Sequence, residues 1–188
     1  MTKANAEPDD LERLLAFWFS ERARARWFEP DAAFDREVRD AFLPLYGEAA
    51  AGGLAAWRET ARGCLGLVLL LDQVPRNVFR DQPRAYATDA QAREAADHAL
   101  ARGFEAALAE EERGFLYMPF QHSEDPADQE RSVRLFETLD GDPRWAESAR
   151  RHRDIVVRFG RFPHRNAVLG RRSTPEEAAF LAEHGRGF

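Results

Sequence analysis

Three short segments of the chain combine a proline with charged and polar side chains that could bind or transform a ligand. They are residues 72–77, 117–125 and 158–166. Together they hold arginines, whose fork of N–H donors suits phosphate and carboxylate groups, and two histidines, which exchange protons near neutral pH. This composition predicts a polar pocket that binds a small anionic ligand. Any reaction there would be acid–base chemistry.

Within these segments, each candidate residue has a role that follows from its chemistry. The arginines and asparagines would hold the anion, the histidines would exchange protons, and two carboxylates would orient the other groups. The candidate catalytic residues are His122, His164, Glu124 and Asp72. The candidate ligand-binding residues are Arg76, Asn77, Arg161, Arg165 and Asn166.

The same segments also have structural interpretations. Asp125 is well placed as the N-cap of the helix that follows it. Asp72 would pair with a nearby arginine, Arg76 and Arg165 would bind carbonyls at helix ends, and the two asparagines would form turns. His152 lies on an apolar helical stripe, so we expect a buried, hydrogen-bonded histidine there rather than a ligand.

Other kinds of site lack their usual sequence signals. No His-x-x-x-His or Glu-x-x-His pair is present to set two metal ligands on one helix face, so we predict no metal. The alternative left open is a metal held by His122, Glu124, Asp125 and His164. Ser123 lacks the strand–turn–helix setting of a serine nucleophile, and no glycine-rich phosphate loop is present. We therefore predict no cofactor, and the lone Cys64 excludes a disulfide framework.

The 188-residue chain is acidic, with a formal net charge of −6, but its charge is unevenly distributed. Residues 144–172 contain nine arginines and only two acidic residues. A chain with net negative charge is a poor match for a phosphate backbone, so we predict no nucleic-acid partner. The basic block predicts a local anion site or, for most of its arginines, ion pairs with acidic residues of the same chain.

Hydrophobic residues make up 44% of the chain, but they occur in short runs. The longest apolar run is broken by Gly66 and ends at Leu71, which is too short to cross a bilayer. The N-terminus carries no apolar segment of the kind found in signal peptides. We therefore expect a soluble, cytoplasmic protein with no membrane contact.

Apolar residues recur at helical spacing along the chain, and no alternating strand pattern is present. The stripes predict seven or eight helices, two of which start at the N-caps Thr60 and Thr174. Pro44 should kink or split its helix, the third helix should end at Leu71, and the fifth should stop before Pro119. We predict an all-α fold of antiparallel helical hairpins, packed as a compact bundle or solenoid in one domain spanning residues 1–188.

Seven strings of residues are distinctive enough to compare with known families. They are Leu69–Asn77, Phe115–Glu124, Arg158–Asn166, Phe17–Phe19, Arg26–Phe28, Gly53–Trp57 and Leu169–Glu177. These strings resemble the bacterial family called domain of unknown function 924, and the resemblance covers nearly the whole chain. It implies an all-helical, tetratricopeptide-like fold, but no activity, because the name of the family assigns none. One departure is Val74, where an aromatic residue is expected.

Two functional hypotheses follow from these observations. In the first, the three polar segments lie at helix C-termini, meet in space and bind a small anionic ligand. In the second, the helical hairpins form a tetratricopeptide-like module that binds a protein partner without catalysis. Three polar clusters fit a compact pocket better than a groove spread over several repeats, so we favour the first hypothesis.

Overall fold

The structure, a computed structural model, describes residues 8–185. Within that range every regular element is helical, which confirms the predicted all-α fold. The chain forms two compact units. Among the described residues, the N-terminal unit comprises residues 8–80 and 84–108, and the C-terminal unit comprises residues 81–83 and 109–185. The single domain and the tetratricopeptide-like arrangement stay predictions.

The N-terminal unit is built from α-helices, several of which begin at a side chain that caps them. Its helices are α1 (Pro8–Trp18), α2 (Glu21–Arg24), α3 (Ala32–Ala50), α4 (Ala61–Val68), α5 (Val74–Val78) and α6 (Asp89–Ala101). The side chain of Asp31 accepts the N–H groups of Ala33 and Phe34 at the start of α3. Thr60 accepts the N–H of Gly63 over 3.0 Å, which confirms it as the N-cap of α4.

The third predicted helix does not end at Leu71 but continues to Val78. After α4 the chain widens into a π-helical segment, Leu69–Gln73, and returns to α-helix with Pro75 inside. Proline has no N–H, so Pro75 cannot donate to the carbonyl of Leu71 one turn earlier. The buried hydroxyl of Thr88 donates to that carbonyl instead, over 2.6 Å. Residues 72–77 therefore lie inside a helix and not behind one.

Four α-helices make up most of the described part of the C-terminal unit. They are α7 (Glu110–Gln121), α8 (Pro126–Phe136), α9 (Arg144–Phe159) and α10 (Pro175–His184). Pro119 lies inside α7, so the predicted stop before it is wrong, and α3 likewise passes through Pro44 without being split. Every residue from Gly114 to Gln121 is buried, and this packing outweighs the single hydrogen bond that Pro119 removes.

Side chains cap the starts of α8 and α10. Asp125 accepts the N–H of Ala127 over 2.7 Å, which confirms it as an N-cap. Thr174 and Glu177 form the predicted capping box, with bonds of 3.2 and 2.7 Å. Gly160 ends α9 with φ at +69°, a conformation that glycine adopts readily. No helix within residues 8–185 has the length and apolar character needed to cross a membrane.

Candidate functional site

A buried network of ion pairs lies along the π-helical segment of the N-terminal unit. Asp72 is fully buried, and its Oδ1 lies 3.1 Å from Nη1 of Arg76. The same guanidinium donates to both carboxylate oxygens of Asp89, at 2.9 and 3.1 Å. Burial alone would lower the pKa of Arg76, but the charges of Asp72 and Asp89 hold that pKa above its ordinary value. The network ties α5 to the first residue of α6.

Asn77, the third predicted site residue of this unit, joins two helices. Its Nδ2 donates to Oδ1 of Asp35 over 2.8 Å. Arg80 donates to both oxygens of the same carboxylate, each over 2.8 Å. Because Asp35 belongs to α3, these bonds hold the end of α5 against α3. All three predicted residues of segment 72–77 therefore have structural contacts within the N-terminal unit.

In the C-terminal unit, His152, His164 and Arg165 contact the ring of a buried phenylalanine, and His122 contacts His152. We call His122, His152, Phe162, His164 and Arg165 the histidine cluster. The Phe162 ring lies 5.5 Å from the His152 ring and 5.6 Å from the His164 ring, between centroids. The Arg165 Cζ lies 4.6 Å from the centroid of the same ring, and the His122 ring lies 6.3 Å from that of His152. Two predicted catalytic histidines and one predicted binding arginine thus share one network.

Three elements of the C-terminal unit supply the histidine cluster. His122 is the C-cap of α7, and His152 projects from α9. Phe162, His164 and Arg165 follow the glycine turn that ends α9, and Pro163–Arg165 forms a single turn of 3₁₀ helix. His122 and His164 are partly exposed, whereas Arg165 retains only 6% of its exposure.

His152 is the buried histidine that its apolar stripe predicts. Its Nδ1 lies 2.8 Å from the carbonyl oxygen of Ser148, an acceptor, so Nδ1 carries the proton. Burial lowers the pKa of His152 to about 3, and the charges of His122 and Arg165 act in the same direction. The ring is therefore neutral at physiological pH, and its Nε2 is a hydrogen-bond acceptor.

Glu124 and Arg171 hold the backbone of Phe162 from both sides. Arg171 donates to the two carboxylate oxygens of Glu124 at 2.6 and 2.9 Å. Glu124 also accepts the N–H of Phe162 over 2.8 Å, and Arg171 donates to the carbonyl of Phe162 over 3.1 Å. We call this arrangement the Glu124–Arg171 clasp. Burial alone would raise the pKa of Glu124, but these bonds and the charges of Arg171 and Arg165 hold it below its ordinary value.

Arg161 and Asn166 lie around a second carboxylate, that of Glu177. Arg161 donates to both oxygens of Glu177 at 2.6 and 2.8 Å and to the carbonyl of Arg172 at 3.0 Å. The bonds from Arg161, followed by those from the Thr174 N–H and the Asn166 side chain, lower the pKa of Glu177 to about 2. Asn166 is fully buried and also donates to Ser173 over 3.1 Å. These contacts join the segment after α9 to the start of α10.

The structure unites part of the predicted site. His122, His164 and Arg165 lie in the histidine cluster, and Glu124 contacts its central residue. Asp72, Arg76 and Asn77 belong to the N-terminal unit, so the meeting of all three segments stays a prediction. Two participants, Asp89 and Arg171, were not predicted, and His152 was predicted only as a buried histidine and not as part of a site. Arg171 lies in the string Leu169–Glu177 that carries the family resemblance, which was a signal for it.

Metal binding and thiol chemistry are two other kinds of reactivity that side chains of this protein could carry. Among residues 8–185, no group of three or more His, Cys, Asp and Glu side chains is placed to hold a metal ion. Cys64 is buried, and burial raises the pKa of its thiol, which makes it a poor nucleophile.

Comparisons with known proteins agree with the architecture. A family model described as a bacterial protein of unknown function (DUF924) matches residues 14–185. The chain is also similar to a solved structure of a protein of unknown function from Agrobacterium tumefaciens, with 46% identity and a TM-score of 0.87. That similarity covers 92% of this chain and 97% of the other. No match was found among curated proteins.

Proposed function

The chain belongs to the DUF924 family of bacterial proteins of unknown function, and we propose that the histidine cluster of its C-terminal unit binds a small anion. The observation that carries this proposal is the position of Arg165. Its guanidinium is buried on the Phe162 ring, which the rings of His152 and His164 also contact. Guanidinium and imidazole groups are the donors that proteins use for phosphate and carboxylate.

The balance of charges in this region supports an anionic ligand. Arg161 and Arg171 each donate to one carboxylate, that of Glu177 and that of Glu124. Arg165 adds a further positive charge, which acts on the titration of both Glu124 and His152. An anion beside Arg165 would be bound by the charge-assisted hydrogen bonds that guanidinium groups form.

The neighbouring histidines give the site a means of exchanging protons with its ligand. His122 and His164 are partly exposed, so they can pass a proton between ligand and solvent. His152 is neutral and buried, so it serves as an acceptor and not as an acid. Of the other predicted site residues, Arg161 and Asn166 have a structural role, since they hold the segment after α9 against the start of α10. Asp72, Arg76 and Asn77 have structural contacts of their own in the N-terminal unit.

Removal of the Arg165 guanidinium tests the proposal. A panel of sulfate, phosphate, acetate and citrate would be added to the protein, and the melting temperature and calorimetric affinity measured. A charge-assisted hydrogen bond contributes about 1.5–3 kcal/mol, so Arg165→Ala should weaken the binding of the best anion roughly tenfold to hundredfold. Arg172→Ala removes an exposed arginine seven positions later and is the matched control, with affinity kept within about twofold.

Two results would contradict the proposal. In the first, no anion of the panel stabilises the parent protein. In the second, Arg165→Ala keeps the parental affinity. If the variant also loses several kcal/mol of stability without any anion, Arg165 is a structural brace, and the protein-interaction hypothesis takes precedence.

A further inference from the structure

The Glu124–Arg171 clasp satisfies both backbone polar groups of the residue at the centre of the histidine cluster. Glu124 accepts the Phe162 N–H, and Arg171 donates to the Phe162 carbonyl, while the two side chains bind each other through both carboxylate oxygens. In a β-sheet a neighbouring strand would form both of these backbone hydrogen bonds, but here two side chains form them. The backbone of Phe162 is thereby fixed in position along the segment after α9.

The position of Phe162 affects the geometry of the cluster because three other side chains contact its ring. The rings of His152 and His164 and the guanidinium of Arg165 all lie within 5.6 Å of its centroid. The ring itself is fully buried, so it has little freedom to move independently of its backbone. Any shift of the Phe162 backbone would therefore change the spacing of the groups that would contact an anion.

We propose that Arg171 and Glu124 are positioning residues of the anion site, which set the place of Phe162 and, through it, of His164 and Arg165. This inference rests on the proposed function of the histidine cluster. It changes the role of Glu124, which the sequence suggested as a catalytic group. Both of its oxygens are engaged by the clasp, so it acts through Phe162 and not on the ligand. Arg171, 47 positions away in the chain, completes the device.

The sequence positions of the clasp residues show what they join. Glu124 lies in the link between α7 and α8, which also presents His122. Arg171 follows the 3₁₀ turn that presents His164 and Arg165. The clasp therefore holds together the two stretches of chain that supply the partly exposed histidines.

Exchanging the two residues of the clasp tests whether the pair positions Phe162 or serves only as an ion pair. In the double variant Glu124→Arg/Arg171→Glu, opposite charges still face each other and the net charge of the protein is unchanged. However, the arginine would now face the Phe162 N–H and the carboxylate would face its carbonyl, so both backbone bonds are lost. The matched control is Glu176→Arg/Arg158→Glu, which exchanges an exposed pair of the same unit that contacts no part of the clasp.

Two readouts are measured on each protein. The first is the affinity for sulfate, an anion whose charge does not change between pH 5 and 8. Loss of a supporting contact around a binding site typically costs about tenfold in affinity, and we expect at least that for the clasp exchange. The second is the NMR position of the imidazole C–H resonances without sulfate, since the Phe162 ring current acts on His152 and His164. Only five histidines are present, and His98 and His184 serve as internal references.

We expect the clasp exchange, and the single variant Arg171→Met, to shift the His152 and His164 resonances and to weaken sulfate binding. The control exchange should do neither. If the clasp exchange leaves those resonances and the sulfate affinity at parental values, the pair is only an ion pair and the inference is wrong. If neither sulfate nor any other anion of the panel binds the parent protein, the proposed function is wrong, while the resonances still decide whether the clasp positions Phe162.

Discussion

The contact between Arg161 and Glu177 gives a sharp test of how the segment after α9 is held. Glu177 is only 2% exposed, and its carboxylate accepts two bonds from Arg161 and one from the Thr174 N–H. In Glu177→Gln, one oxygen becomes an NH₂ group that faces the donors of Arg161. The variant therefore removes the charge and one acceptor while keeping the size of the side chain.

The size of the effect follows from the titration of this carboxylate. The pKa of Glu177 is lowered from 4.5 to about 2, mainly by the bonds from Arg161. A difference of one pKa unit between the folded and the unfolded protein corresponds to about 1.4 kcal/mol of stability. Because the amide keeps one acceptor, we expect Glu177→Gln to lower the free energy of unfolding by about 2–3 kcal/mol at pH 7. The unfolded chain takes up the proton first as the pH falls. The parent should therefore lose this stability between about pH 4.5 and 2, and the variant should not.

Urea denaturation at pH 7, 5, 4 and 3 measures both parts of this expectation. Glu176→Gln is the matched control, because Glu176 is the adjacent residue and pairs with Arg158 at 2.8 Å while remaining 62% exposed. An exposed pair contributes at most about 1 kcal/mol. Two results would contradict this account. The two variants would lose equal stability, or the stability of Glu177→Gln would fall with pH as steeply as that of the parent. In either case the contact between Arg161 and Glu177 does not hold α10 as described.

Two further changes test the N-terminal unit by urea denaturation. Arg76→Ala would leave two buried carboxylates without their guanidinium and should cost about 3–5 kcal/mol, whereas Arg80→Ala at a more exposed pair should cost less than about 1 kcal/mol. Thr88→Val should cost about 1–3 kcal/mol because the Leu71 carbonyl loses its donor, and Thr88→Ser should restore it. Equal losses for both members of either comparison would contradict the corresponding account.

The sequence predicts helices well where the deciding interactions are local. The N-caps Thr60, Asp125 and Thr174 each bind an N–H two or three residues away, and all three were identified from neighbouring residues. Prolines were misjudged because their effect depends on distant groups. The helix that contains Pro75 continues because Thr88, far along the chain from Leu71, supplies a donor, and no local pattern contains that information.

The candidate site also contains residues that could be predicted from the sequence and contacts that could not. Residue chemistry and the proline breaks led to His164 and Arg165, which the fold places on one phenylalanine ring, and to His122, which contacts His152 beside that ring. The partners of Glu124 could not be read from spacing, since Arg171 lies 47 positions away and competes with other arginines of the basic block. Burial also cannot be assigned residue by residue from a periodic stripe, although for His152 the stripe was sufficient.

The basic block illustrates why summed charge is a poor guide to a site. At least six of its nine arginines form ion pairs, which confirms internal pairing for most of them; the six are Arg144, Arg150, Arg153, Arg158, Arg161 and Arg171. The acidic partners lie largely on neighbouring helices and links. The ion pairs therefore connect these elements, and the negative charges neutralise the positive charges of the block. Arg165 differs because it is buried against an aromatic ring among imidazoles. A ligand would therefore meet one guanidinium and its neighbouring histidines, and not the net charge of the block.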